Sequence, residues 1–114
     1  MLELLSPAGS MEALRAAVQN GANAVYLGVG NLNARQSAKN FTPQTLVDAV
    51  KYCHVRGVDV HLTLNTLVSD REMKEAADLI RHAAQYNIDA FIVQDLGVAQ
   101  LCRQIAPHIP IHGS

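Results

Sequence analysis

The feature that most constrains this chain is a repeated switch of hydrophobic period. Short apolar cores fall at Leu2–Leu5, Ala24–Leu27, Val58–Leu64, Ala90–Val93 and Ile109–Ile111, and a helical pattern fills each gap between them. Strand, helix, strand, repeated, demands parallel strands, because a parallel neighbour is reached only through a crossover of about a dozen residues or more. Two architectures meet that demand: an open doubly wound sheet and a closed barrel.

Spacing favours the barrel. A (βα)8 barrel of about 250 residues averages roughly 31 per unit, and four units plus a strand in 114 residues match that interval. The open sheet usually carries a Gly-rich phosphate turn after its first strand. Here that turn reads Ser6-Pro7-Ala8-Gly9-Ser10, and Gly28-Val29-Gly30 has Asn33 where a third glycine would stand. The expected fold is α/β: the N-terminal half of a TIM-like (βα)8 barrel, four βα units plus a fifth strand, in one domain spanning residues 1–114 and stopping partway through the pattern.

Local signals delimit the helices. Ser10 can cap the first, with Glu12 in its first turn and Met11, Leu14 and Val18 as its stripe, and Asn20-Gly21 can end it. Thr42-Pro43 opens the second, Leu46, Val50 and Cys53 face inward, and Gly57 closes it. Ser69-Asp70-Arg71-Glu72 reads as a capping box for the third. The fourth runs from about Leu96 to Ala106, where Pro107 forbids continuation.

Composition excludes several classes. Net charge is −1 and neither sign dominates, so nothing marks a nucleic-acid or membrane surface on this segment. No apolar run approaches the roughly 20 residues of a membrane helix, and the N-terminus lacks the features of a signal peptide. A cytoplasmic protein with no membrane partner is expected. Cys53 and Cys102 fall on the buried stripes of their helices and read as core thiols, with a disulfide or metal pair as the alternative.

The third strand is the most informative about function. In Val58-Asp59-Val60-His61-Leu62-Thr63-Leu64-Asn65 apolar and polar residues alternate strictly. Parallel strands covered on both faces normally read as continuous apolar runs. One face therefore suits helices. The other, with Asp59, His61, Thr63 and Asn65, suits a barrel lumen or, alternatively, a solvent-facing edge strand. In parallel α/β folds ligands bind at the carboxyl ends of the strands. That rim collects Thr63, Asn65, Gln94, Asp95 and His112, with Asn33 and Arg35 in the long loop after the second strand. These are the candidate substrate-binding residues. Arg35 offers a planar fork for a carboxylate or phosphate, and Asp95 and His112 could form an acid–base pair. Each has a structural alternative: a solvated loop charge for Arg35, a helix cap for Asp95, a satisfied core imidazole for His112. No metal-ligand spacing and no nucleophile elbow appears, so catalytic residues stay unassigned.

The same residues resemble a known family. Glu3-Leu4-Leu5-Ser6-Pro7-Ala8-Gly9-Ser10 and Gly21-Ala22-Asn23-Ala24-Val25-Tyr26-Leu27-Gly28 are similar to the opening of the peptidase U32 family. Asn33-Ala34-Arg35, Thr63-Leu64-Asn65-Thr66, Val93-Gln94-Asp95-Leu96-Gly97 and Pro110-Ile111-His112-Gly113-Ser114 continue the match in order. The resemblance implies a TIM-barrel-like domain and a collagenase-like protease. Other members are implicated in hydroxylating RNA bases, in some cases with prephenate, and in ubiquinone hydroxylation. Those branches are associated with an iron–sulfur cluster whose cysteines lie downstream. Neither Cys53 nor Cys102 matches them, so no cofactor is expected in this segment and a cluster would come from residues beyond its end. The expected function is a peptidase, with peptide as substrate of the full-length protein. The first alternative is an RNA-base hydroxylation factor using a small carboxylate donor. The second is a non-catalytic assembly module, a homodimer closed through open strand edges.

Overall fold

The computed structural model describes residues 4–29, 41–65 and 69–113. Strands and helices alternate through them: β1 (Leu5–Pro7), α1 (Met11–Gln19), β2 (Ala24–Leu27), α2 (Pro43–Val55), β3 (Asp59–Leu64), α3 (Asp70–Gln85), β4 (Ala90–Val93), α4 (Leu96–Ile105) and β5 (Ile111–Gly113). The five strands form one sheet in the order β1-β2-β3-β4-β5, every pair parallel.

Each helix starts where its cap stands. Ser10 Oγ accepts the Ala13 N–H at 3.1 Å, Ser69 Oγ the Glu72 N–H at 3.1 Å, and Asp95 Oδ2 the Val98 N–H at 3.2 Å. At α2 the box is reciprocal: Thr42 Oγ1 accepts from the Thr45 N–H, and Thr45 Oγ1 accepts from the Thr42 N–H at 2.7 Å. Gly21 (φ +93°) and Gly57 (φ +75°) take the left-handed turn after α1 and α2, and Asn87 (φ +69°) takes it after α3.

The outer strands are fixed by their edges. Leu2 and Glu3 of the expected apolar core Leu2–Leu5 lie outside the described residues, and β1 runs from Leu5 to Pro7. Asn23 sets the register: its Oδ1 accepts the Leu4 N–H at 2.7 Å while its own N–H donates to the Leu4 carbonyl at 2.9 Å. The first paired rung is therefore Leu5 with Ala24. At the other edge Ile109 is buried, but it sits in the turn after α4, donating to the Ala106 carbonyl at 3.1 Å. Pro110 accepts from the Phe91 N–H, and β5 starts one residue later. His112 thus lies within β5, opposite Ile92, rather than beyond its end.

One core forms, on one face of the sheet. Val25, Leu27, Val60, Leu62, Leu64, Phe91 and Val93 meet Leu14, Leu46, Val50, Cys53, Ile80, Val98 and Cys102 from the four helices in a single buried cluster. The alternation of β3 is thereby explained: its even-numbered residues enter that cluster. The other face carries Leu5, Tyr26, His61, Thr63, Ile92 and His112, and Leu5 keeps 41% of its surface exposed.

At the amino ends of the strands Asp89 joins three elements. Its Oδ2 accepts the Val60 N–H at 2.7 Å and lies 2.7 Å from His54 Nε2, while its own N–H donates to the Val60 carbonyl at 3.0 Å. The carboxylate thus pins the C-terminal turn of α2 and the start of β4 onto β3. We expect Asp89→Ala to lower unfolding free energy by about 1–3 kcal/mol, because it strands a part-buried N–H, and Asp89→Asn to cost less. Chemical denaturation midpoints measure both.

The two thiols supply a pH signature. Burial pushes Cys53 and Cys102 up to about 11 from an ordinary 9.0, with Arg56 drawing Cys53 partly back. A raised folded-state pKa means that the native protein holds protons the unfolded chain has released. The stability contributed by these thiols is therefore complete below pH 9 and lost as pH rises through 11. Denaturation curves across that interval should show the decline, and Cys→Ser variants at both positions should flatten it.

Candidate functional site

The face of the sheet opposite the described helices ends in a pocket. Leu5, Tyr26, Thr63, Leu64, Asn65, Ile92, Gln94, His112 and Gly113 line a cavity of about 610 Å³, within the range typical of small-molecule sites. The strands place these groups by register. Tyr26 stands opposite His61, Thr63 opposite Ile92, and Ile92 opposite His112. Asn65 and Gln94 follow the last residues of β3 and β4. The carboxyl ends of three adjacent strands thus present an amide, a second amide and an imidazole to the same space, over an apolar floor from Leu5 and Ile92.

Thr63 is partly committed to the sheet. Its hydroxyl donates to the Leu27 carbonyl at 3.1 Å. A Cβ on Gly28 would lie 3.1 Å from that hydroxyl oxygen, so glycine leaves the contact undisturbed. Beneath the pocket His61 is 6% exposed, and its ring meets His112 edge-on, with centroids 5.3 Å apart and planes at 79°.

The sequence-predicted residues divide three ways. Thr63, Asn65, Gln94 and His112 come together in the pocket. Asp95 stands at the same end of the sheet but caps α4 through Oδ2 and is not among the lining residues. Asn33 and Arg35 lie outside the described residues. Sequence reasoning missed Tyr26, Leu5 and Ile92 as lining residues. Tyr26 hides in the apolar run Ala24–Leu27, and only its pairing with His61 shows that it shares the polar face.

Among the described lining residues none carries a permanent charge, and each polar one offers a neutral donor or acceptor. Among the described residues no three His, Cys, Asp or Glu side chains converge as a metal-ligand set. Cys53 and Cys102 are free thiols, buried in α2 and α4. No helix of the described residues is long and apolar enough to cross a membrane. A smaller cavity of about 290 Å³, lined by His54, Gly57, Val58, Asp59 and Asp89, lies at the opposite ends of the strands.

Comparison with known proteins gives this geometry a context. Residues 9–114 match the family model described as peptidase family U32. The chain is 40% identical over 114 residues to the uncharacterized protease MJ0090 of Methanocaldococcus jannaschii, covering 100% of this chain and 28% of that protein. It is 40% identical over 112 residues to the tRNA hydroxylation protein P of Helicobacter pylori strain 26695, covering 97% and 26%. It is 39% identical over 113 residues to the 23S rRNA 5-hydroxycytidine C2501 synthase of Escherichia coli K12, covering 99% and 17%. The chain spans about a quarter or less of the length of these relatives. The solved structure of the U32 peptidase Mk0906 superimposes with a TM-score of 0.65 over 99% of this chain and 47% of that one, at 15% identity, a likeness of fold. By the family match and by these identities along nearly its whole length, the chain belongs to peptidase family U32.

Proposed function

We propose that this chain forms the first half of a (βα)8 barrel, and that its pocket receives a nucleobase in an RNA-hydroxylation factor. Sequential parallel strands with their helices on one side support the barrel. A doubly wound sheet reverses its strand order and carries helices on both faces, whereas here the strands run in sequence order and the described helices pack on one face. In the longer protein those strands would pair with the free edges of β1 and β5. A second copy of this chain is the alternative closing partner.

The observation that carries the nucleobase is the two-way hydrogen-bonding character of the described lining residues. A base edge alternates donors and acceptors around a flat ring, and proteins read it with amides and hold it against aromatic faces. Asn65, Gln94, Tyr26 and His112 supply those groups at the mouth. Arg35, two residues after Asn33 in the sequence, is the proposed anchor for a phosphate or for the carboxylate of a small donor. Any iron–sulfur cluster would be held by residues beyond this segment. This reading implies a cytoplasmic protein acting on tRNA or rRNA.

A second reading is peptide hydrolysis in the same pocket, carried by the family's name and by the name of the M. jannaschii relative. It calls for a nucleophile with its base, a metal-bound water or a carboxylate pair. Those groups would have to come from outside the described lining residues.

Nucleoside mass spectrometry of tRNA and rRNA separates the two. We expect a hydroxylated pyrimidine to disappear in a deletion strain and to return with the full-length wild-type gene. It should return at least about tenfold less with Asn65→Ala or His112→Ala, as fits the loss of substrate-positioning groups. An unchanged nucleoside profile, with peptide turnover by the purified protein that depends on Asn65, would reverse the order of the readings.

A further inference from the structure

We infer that His61 is a positioning residue for His112, and that the paired rings aim the His112 nitrogen at an oxygen of the bound base. The base rests on the reading above; the pair rests on geometry alone.

The two rings come from strands that are not neighbours. His61 lies on β3 opposite Ala90, and His112 lies on β5 opposite Ile92, with β4 running between them. They nevertheless meet at 5.3 Å, edge to face. Adjacent strands are about 4.8 Å apart, so the rings must lean toward each other across β4. The residue of β4 in the row of His61 is Ala90, whose methyl group is too short to hold them apart.

The pair is asymmetric in a useful way. His61 is 6% exposed and does not line the pocket, whereas His112 is exposed and does. A side chain free in solvent samples several rotamers. Contact with a ring fixed in the sheet restricts that sampling, and edge-to-face aromatic packing stabilises one orientation by about 0.5–1.5 kcal/mol. A polar ring also costs more to bury than the leucine that would fill the same row. His61 thus acts on a ligand only through His112, as a support for its aim.

The test uses full-length protein carrying ¹⁵N-labelled histidine. In the wild type we expect a nuclear Overhauser effect between the ring protons of His61 and His112. In His61→Leu the His112 imidazole resonances should move. In His61→Phe, which keeps an aromatic edge, they should move less. In a deletion strain complemented with the full-length gene, His61→Leu should lower the hydroxylated nucleoside roughly two- to tenfold, the change that about 0.5–1.5 kcal/mol of edge-to-face contact corresponds to, with the Kd for unmodified tRNA transcript unchanged, and His61→Phe should recover much of the loss. Thermal unfolding midpoints of both variants report folding. Absence of the Overhauser effect, or a His112 spectrum indifferent to His61→Leu, overturns the pair. Equal losses of the hydroxylated nucleoside in both variants overturn the positioning role, because they would make His61's own nitrogen the acting group. If the wild-type gene restores no hydroxylated nucleoside to the deletion strain, the nucleobase reading fails, and the His112 spectrum still judges the pair.

Discussion

A strand that must lie parallel to the one before it cannot be reached by a turn. It needs a crossover, and in this chain the described crossovers carry helices that bury themselves on one side of the sheet. Everything else descends from that constraint. With one side taken by the helices, the even-numbered residues of β3 become core, and its odd-numbered residues are left to face elsewhere. Because all strands point the same way, their carboxyl ends gather at one end of the sheet. Side chains distant in sequence, from Tyr26 to His112, then share a single pocket.

The two ends of the sheet are built differently. At the amino ends Asp89 satisfies a backbone N–H and meets an imidazole, holding three elements in place. At the carboxyl ends Asn65 and Gln94 are exposed, and Thr63 donates its hydroxyl to the Leu27 carbonyl of the neighbouring strand. Hydrogen bonds to a part-buried carboxylate rank among the stronger stabilising contacts. Exposed amides contribute little to folding.

The parts of the fold legible in the sequence are those decided locally. A cap and its helix lie within four residues, so Ser10, Thr42, Ser69 and Asp95 announce their helices without reference to the rest of the chain. Strand register is not local. Whether Ile109 or Ile111 begins β5 depends on which of them meets β4, and an apolar run looks the same in a buried turn as in a strand. The site follows the same division. Asn65, Gln94 and His112 are polar residues at or just beyond apolar cores, visible as such. Tyr26 is masked by its apolar neighbours, and the contact of His61 with His112 needs the pairing of three strands to be known. Asp95 was ambiguous because a cap and a ligand contact call for the same short carboxylate.

The Asp89 clamp has a consequence for the history of such a chain. It sits at the far pole from the pocket and shares no residue with it. Substitutions at the mouth can therefore accumulate with little penalty to the scaffold that carries them. A scaffold so divided leaves one pole open to new chemistry while the other stays put.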